Sequence, residues 1–128
     1  MKPDSKRILV VDDAATVRMY HKQILESVGF QVEEAINGIE ALEKSLMKPF
    51  DLYLVDINMP KLDGYDFLKD LRSRDIPQAP AIMISTEAED SDKFRAYEAG
   101  ANLYMLKPIK SQDLLKYSFA LLGIENPS

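Results

Sequence analysis

The sequence has 128 residues, a net charge of −5 and no cysteine, enough chain for one buried core and too little for two. With 29% charged and 46% hydrophobic residues it matches soluble globular composition and excludes disordered, collagen-like and membrane classes. No basic cluster denser than Lys6-Arg7 offers a footprint for a nucleic-acid backbone, and the missing cysteines remove disulfides and thiolate metal sites.

The first apolar run, Ile8-Leu9-Val10-Val11, suits a short buried strand. It is too short for a signal-peptide core or for the ~20 residues of a membrane span, so a cytoplasmic location without membrane contact is expected. Asp12-Asp13 follows, then a helical pattern in which Val17, His21, Ile24, Leu25 and Val28 share a face until Gly29 stops it. His21 on that face reads as a packing residue. A second strand, Gln31 to Ala35, turns at Asn37-Gly38 into a helix carrying Ile39, Leu42 and Leu46. Asn37 is its expected N-cap, with Glu40 in a capping-box position, and Pro49 closes it.

The third strand, Leu52-Tyr53-Leu54-Val55, ends on Asp56 and breaks into Asn58-Met59-Pro60 and Asp63-Gly64 before a helix striped by Tyr65, Leu68 and Leu71. The fourth, Ala81-Ile82-Met83-Ile84, delivers Ser85-Thr86 and then Glu87 to Asp90, which lead a helix with Phe94 and Tyr97 up to Gly100. The fifth, Asn102 to Leu106, gives way to Lys107-Pro108 and a helix capped by Ser111, carrying Leu114, Leu115, Ser118, Leu121 and Leu122 up to Gly123. Only residues 1–6 and 125–128 look loose, so a single domain over 1–128, with its core at about 6–123, is expected.

Strands apolar on both faces, alternating with amphipathic helices, predict a parallel sheet covered on both sides. Crossovers of one hand make this an α/β, doubly wound (βα)5 three-layer sandwich with a five-stranded parallel sheet, flavodoxin-like in architecture. A β/α barrel needs eight units and nearly twice the chain.

Ligands of an open parallel sheet bind beyond the carboxyl ends of the strands. Those ends carry Asp12-Asp13, Asp56, Ser85-Thr86 and Lys107. Three carboxylates at one edge repel unless a cation sits among them. Hard oxygen donors without His or Cys suit Mg²⁺, which leaves positions for phosphate oxygens. Lys107 and a hydroxyl can hold further phosphate oxygens. These parts suit phosphoryl transfer, with an aspartate as nucleophile. Asp56 is the better candidate, because a single acid on a central strand can face the metal while the Asp12-Asp13 pair holds it. Each residue alone has a plainer reading: Asp12-Asp13 as a helix cap, Asp56 as a turn former, Lys107 as a solvated cation. Their appearance at successive strand ends is what outweighs those readings.

"ILVVDD", "LYLVDINMP" with "DG" beyond it, "IMISTEA" and "GANLYMLKP" together resemble the receiver domain of two-component response regulators over essentially the whole chain, most like stand-alone chemotaxis-type receivers. The resemblance implies Asp56 as phosphoacceptor and Asp12 and Asp13 as the acidic pair, Asp13 touching Mg²⁺ directly and Asp12 through water. It implies the Asn58 backbone carbonyl as a further metal ligand, Asn58 and Glu87 as side chains tuning hydrolysis, and Lys107 on a phosphoryl oxygen before a cis Lys107-Pro108 peptide. Ser85 takes the hydroxyl slot and Tyr104 the aromatic slot of a switch that reshapes the fourth helix, fifth strand and fifth helix. Ser85 and Thr86 point to opposite sides of a strand, and spacing to Glu87-Ala88 favours Ser85.

The implied function is a monomeric module that takes a phosphoryl group from a sensor histidine kinase or phosphotransfer protein. It is a switch rather than a metabolic enzyme, catalysing only its own phosphorylation and dephosphorylation. It is then read by a downstream target, such as a flagellar motor switch in chemotaxis, with no nucleic acid or membrane involved. A relay intermediate and a receiver cut from a longer transcriptional regulator are the alternatives within that class. A Mg²⁺-dependent phosphohydrolase of haloacid-dehalogenase type would place a second acid two residues after the nucleophile, where this chain has Asn58. A flavodoxin-like cofactor binder would want a hydroxyl- and glycine-rich loop after the first strand, where this chain has Asp12-Asp13.

Overall fold

The structure, a computed structural model, describes residues 3–126. The ends of the expected domain, Met1, Lys2, Pro127 and Ser128, lie outside the described residues. Among the described residues five strands and five α-helices alternate: β1 (Arg7–Val11), α1 (Ala15–Ser27), β2 (Gln31–Ala35), α2 (Gly38–Met47), β3 (Leu52–Asp56), α3 (Gly64–Ser73), β4 (Ala81–Ser85), α4 (Asp90–Ala99), β5 (Leu103–Leu106) and α5 (Ser111–Leu122). The expected looseness before β1 is corrected in part. Pro3–Ser5 forms a short 3-10 turn, tied down where the Gln31 Nε2 donates to the Asp4 carbonyl at 2.6 Å.

All pairings are parallel, in the order β2-β1-β3-β4-β5. This is the doubly wound, flavodoxin-like α/β architecture expected from the sequence. The chain steps one way from β1 to β2 and the other way from β2 to β3, β4 and β5. Right-handed crossovers therefore put α1 on one face and α2, α3 and α4 on the other; α5 joins α1, in agreement with the contacts α1–α5, α2–α3 and α3–α4. The crevice at the direction change lies between β1 and β3.

Alternation along the strands divides the core in two. Ile8, Val10, Leu52, Leu54, Ile82 and Ile84 pack under α1 and α5 with Leu25, Leu114 and Phe119. Leu9, Val11, Tyr53, Val55, Ala81 and Met83 pack under α2, α3 and α4 with Phe67, Leu68 and Leu71. Expected burial on both faces holds for β3 and β4, every residue of which is buried. It fails for β2, where only Ala35 is buried, because that strand is at the sheet edge with β1 as its one neighbour.

Periodicity in so short a helix leaves the side of Tyr97 in α4 undecided; in the structure Phe94 and Tyr97 are exposed and the helix buries Ala96 and Ala99. In α5 the N-cap is Lys110 and Ser111 is the first helical residue, so Ser111 does not cap it. The Asn37 cap stands, its side chain accepting from the Glu40 N–H at 2.8 Å. Glu40 reaches back to the Ile36 N–H, one residue before the cap.

Candidate functional site

β1 and β3 run in register with Val11 opposite Val55, so the next residue on each, Asp12 and Asp56, arrives at the same level of the crevice. β3 positions Asp56 rigidly because Leu52, Tyr53, Leu54 and Val55 are buried to within 1% of full exclusion. β4 and β5 pair Ser85 with Leu106, and the Lys107 N–H donates to the Ser85 carbonyl at 2.8 Å. Lys107 follows the parity of Leu103 and Met105, on the α1/α5 side, and so turns toward the two aspartates. Its Nζ lies 3.0 Å from Asp56 Oδ1 and 3.1 Å from Asp12 Oδ2. The peptide that follows, Lys107-Pro108, is cis.

Asp12 is fully buried and held on every side. Its N–H donates to Ala35 O at 3.1 Å, its Oδ1 accepts from the Ala14 N–H at 2.9 Å, and its carbonyl accepts from Arg18 Nη1 at 2.8 Å. Asp13 is exposed. One ligand oxygen from each of Asp12, Asp13 and Asp56 falls within 4.8 Å of the others. Burial pushes the Asp56 carboxyl above its ordinary range, and the charges of Asp12 and Asp13 add to this against the hydrogen bond from Lys107. Burial also works against the Lys107 ammonium, but Asp56 and Asp12 outweigh it and hold its pKa above the ordinary value. The two partners therefore gain unequally: the lysine charge is stabilised, while the Asp56 charge is not fully compensated by one ammonium.

That shortfall is the test of whether a divalent cation fits. An all-oxygen donor set, two buried acids and one exposed acid, with a net negative charge after Lys107, matches the preferences of Mg²⁺.

Ser85 is fully buried, whereas its neighbour Thr86 is exposed. Its Oγ accepts from the Glu87 N–H at 3.0 Å. Tyr104 is half-buried against the α2/α3/α4-side core, and its hydroxyl donates to the Glu87 carbonyl. Burial raises the Tyr104 phenol pKa, and the Ser85 hydroxyl partly offsets this. The Ser85–Glu87–Tyr104 group is thus one connected polar cluster across β4 and β5. Asn58 is exposed two residues beyond Asp56. The loop that carries it returns to β3 through Gly64, where a Cβ would stand 2.6 Å from the Asp56 carbonyl and 2.9 Å from Ile57 Cα. That contact gives the reason for glycine after Asp63. Beside Lys107 an apolar groove of about 380 Å³ opens between Val17, Tyr20 and His21 on α1 and Pro108 and Ile109.

The model of the response regulator receiver domain family matches residues 8–118. The chain belongs to that family. It is 42% identical over 111 residues to the chemotaxis protein CheY of Bacillus subtilis, covering 86% of this chain and 92% of that protein. It is 34% identical to the transcriptional regulatory protein ResD of the same organism, over 91% of this chain but only 48% of ResD. It therefore spans about half of the one relative and nearly all of the other. Among solved structures, a CheY-like response regulator receiver domain protein from Methanospirillum hungatei superposes with a TM-score of 0.86 at 35% identity, covering 92% of this chain and 94% of that one.

The structure brings Asp12, Asp13, Asp56 and Lys107 together and links Ser85 and Tyr104 through the Glu87 backbone. Nothing local in the sequence marks Arg18 and Glu34 as a pair. Glu34 sits on the edge strand in register with Val10, and only that pairing brings it to Arg18.

Proposed function

We propose that this receiver domain is a phosphorylation-controlled signalling switch in which Asp56 is the phosphoacceptor. An Asp56 carboxylate oxygen attacks phosphorus of a phosphohistidine on a histidine kinase or phosphotransfer protein. The new O–P bond forms as the P–N bond breaks, and the imidazole leaves and takes up a proton. Mg²⁺ held by Asp12, Asp13, Asp56 and the Asn58 carbonyl would neutralise the carboxylates and phosphoryl oxygens. Lys107 holds one phosphoryl oxygen and the Ser85 hydroxyl another, drawing Ser85 from Glu87 and shifting Tyr104 and α4. Asn58 and Glu87 flank the path of the water that later cleaves the acyl phosphate. The apolar groove beside Lys107 suits the flank of a protein donor. A downstream protein, in a chemotaxis-like pathway a flagellar motor switch, reads the altered surface.

The observation that carries this reading is one ammonium bridging two buried carboxylates at 3.0 and 3.1 Å, a charge pattern left short of balance. Among the described residues no helix is long and apolar enough to cross a membrane. Incubation with acetyl phosphate, with and without Mg²⁺, followed by intact mass is the test. One Mg²⁺-dependent phosphoryl adduct, absent in Asp56→Asn, is expected. Multiple turnover of unrelated phosphoesters would favour a phosphohydrolase instead.

A further inference from the structure

Arg18 lies on the inner turn of α1, outside the set of acids and cations that meets the phosphoryl group. Its Nη1 donates to the Asp12 carbonyl at 2.8 Å and its Nε to Glu34 Oε1 at 2.9 Å, with the side chain 14% exposed. The Glu34 carboxyl is held below its ordinary range because the hydrogen bonds and charges of Arg18 and Lys22 outweigh its desolvation. The guanidinium therefore spans from the edge strand to the peptide joining Asp12 to Asp13. That peptide is the last point at which the frame controls Asp13, since the Asp13 carboxylate has no hydrogen bond or ion pair of its own with the described residues.

Resting on the metal-dependent reading above, we propose that Arg18 is a positioning residue for the divalent cation: clamped by Glu34, it orients the Asp12-Asp13 peptide so that the Asp13 carboxylate faces the cation. Groups that orient metal ligands without touching the metal change affinity when removed, typically by 10–100-fold. Arginine is suited to this because its planar fork serves two acceptors in fixed geometry, which a lysine ammonium does not reproduce.

Positioning and simple charge predict opposite signs. Deleting a cation near a divalent-ion site lowers repulsion and should tighten Mg²⁺ binding if field alone matters. Loss of orientation weakens it. Lys22 supplies the control, since it pairs with the same Glu34 at 3.4 Å but makes no contact with Asp12.

The experiment is a Mg²⁺ titration of the full chain, followed by amide chemical shifts of Asp12, Asp13 and Asp56, on wild type, Arg18→Ala, Arg18→Lys and Lys22→Ala. Thermal melting without Mg²⁺ is recorded for each, to separate folding from binding. Arg18→Ala should move the midpoint to about tenfold higher Mg²⁺, Arg18→Lys to an intermediate value, and Lys22→Ala not at all or slightly lower. At saturating Mg²⁺ the yield of Asp56 adduct should return to that of wild type. If Arg18→Ala fails to fold, Arg18→Lys carries the test. An unchanged or lowered midpoint in the Arg18 variants, or an equal rise in Lys22→Ala, overturns the proposal. A wild type that binds no Mg²⁺ and forms no adduct would instead refute the functional reading beneath it.

Discussion

Helices α3 and α4 lie side by side on the same face of the sheet, yet they are anchored differently. α3 buries Tyr65, Phe67, Leu68 and Leu71, each worth about 1.5–3 kcal/mol when fully removed from water. α4 buries only Ala96 and Ala99, while Phe94 and Tyr97 stay 67% and 47% exposed. The first helix is part of the frame. The second is tied to α3 by the Tyr65 hydroxyl donating to the Asp92 carbonyl and by Arg95 over the Tyr65 ring, with little apolar burial to hold it, as expected of an element drawn from the low-stability end of a fold. The two helices thus differ in the size of the side chains they turn to the core.

The strongest way to break this comparison is Phe67→Ala, which should cost about 3–5 kcal/mol in chemical denaturation because the ring is fully buried. A loss below 1 kcal/mol would mean that α3 is not the anchor described. Next comes the charge at the crevice. With the folded pKa of Asp56 above its ordinary 3.8, the folded state holds the proton more tightly than the unfolded chain. That contribution is therefore complete below pH 3.8 and is lost as pH rises through the folded value. Without Mg²⁺ at pH 7, Asp56→Asn should accordingly raise the melting temperature, and Mg²⁺ should stabilise wild type more than the variant.

His21 gives the opposite slope. Burial pushes its folded pKa below 6.5, and its Nδ1 has no hydrogen-bond partner among the described residues. The unfolded chain therefore takes up the proton first, and stability is kept above pH 6.5 but falls as pH drops toward the folded value. His21→Leu should flatten the stability profile between pH 5 and 6.5, measured by urea midpoints.

Smaller effects sharpen the contrast between the helices. Native-state hydrogen exchange should open the amides of α4 before those of α3, and phosphorylation of Asp56 should alter protection in α4 more than in α3. The smallest change is Phe94→Ser, expected to stay within about 0.5 kcal/mol of wild type in denaturation while weakening any partner that reads α4.

Period and punctuation were enough to place the strands and helices, because residues such as Leu52 to Val55 and Ile82 to Ile84 are apolar without interruption and Gly29, Gly100 and Gly123 end helices in a left-handed conformation. They leave α4 undecided, because Phe94 and Tyr97 are apolar residues at helical spacing and periodicity alone does not distinguish a face turned to the core from one turned outward. Ser111 misled as a cap because a serine at the first helical position and one just before it look alike in sequence.

The sequence by itself determined five βα units and the acids, hydroxyl and lysine that close them, since strand-end residues are fixed by local alternation. Tertiary structure alone decided that Lys107 lies between Asp12 and Asp56, that β2 is an edge, and that Arg18 reaches both Glu34 and the Asp12 carbonyl. Those distances depend on strand order and register, which arise from packing between segments far apart in the chain and leave no local mark on any of them.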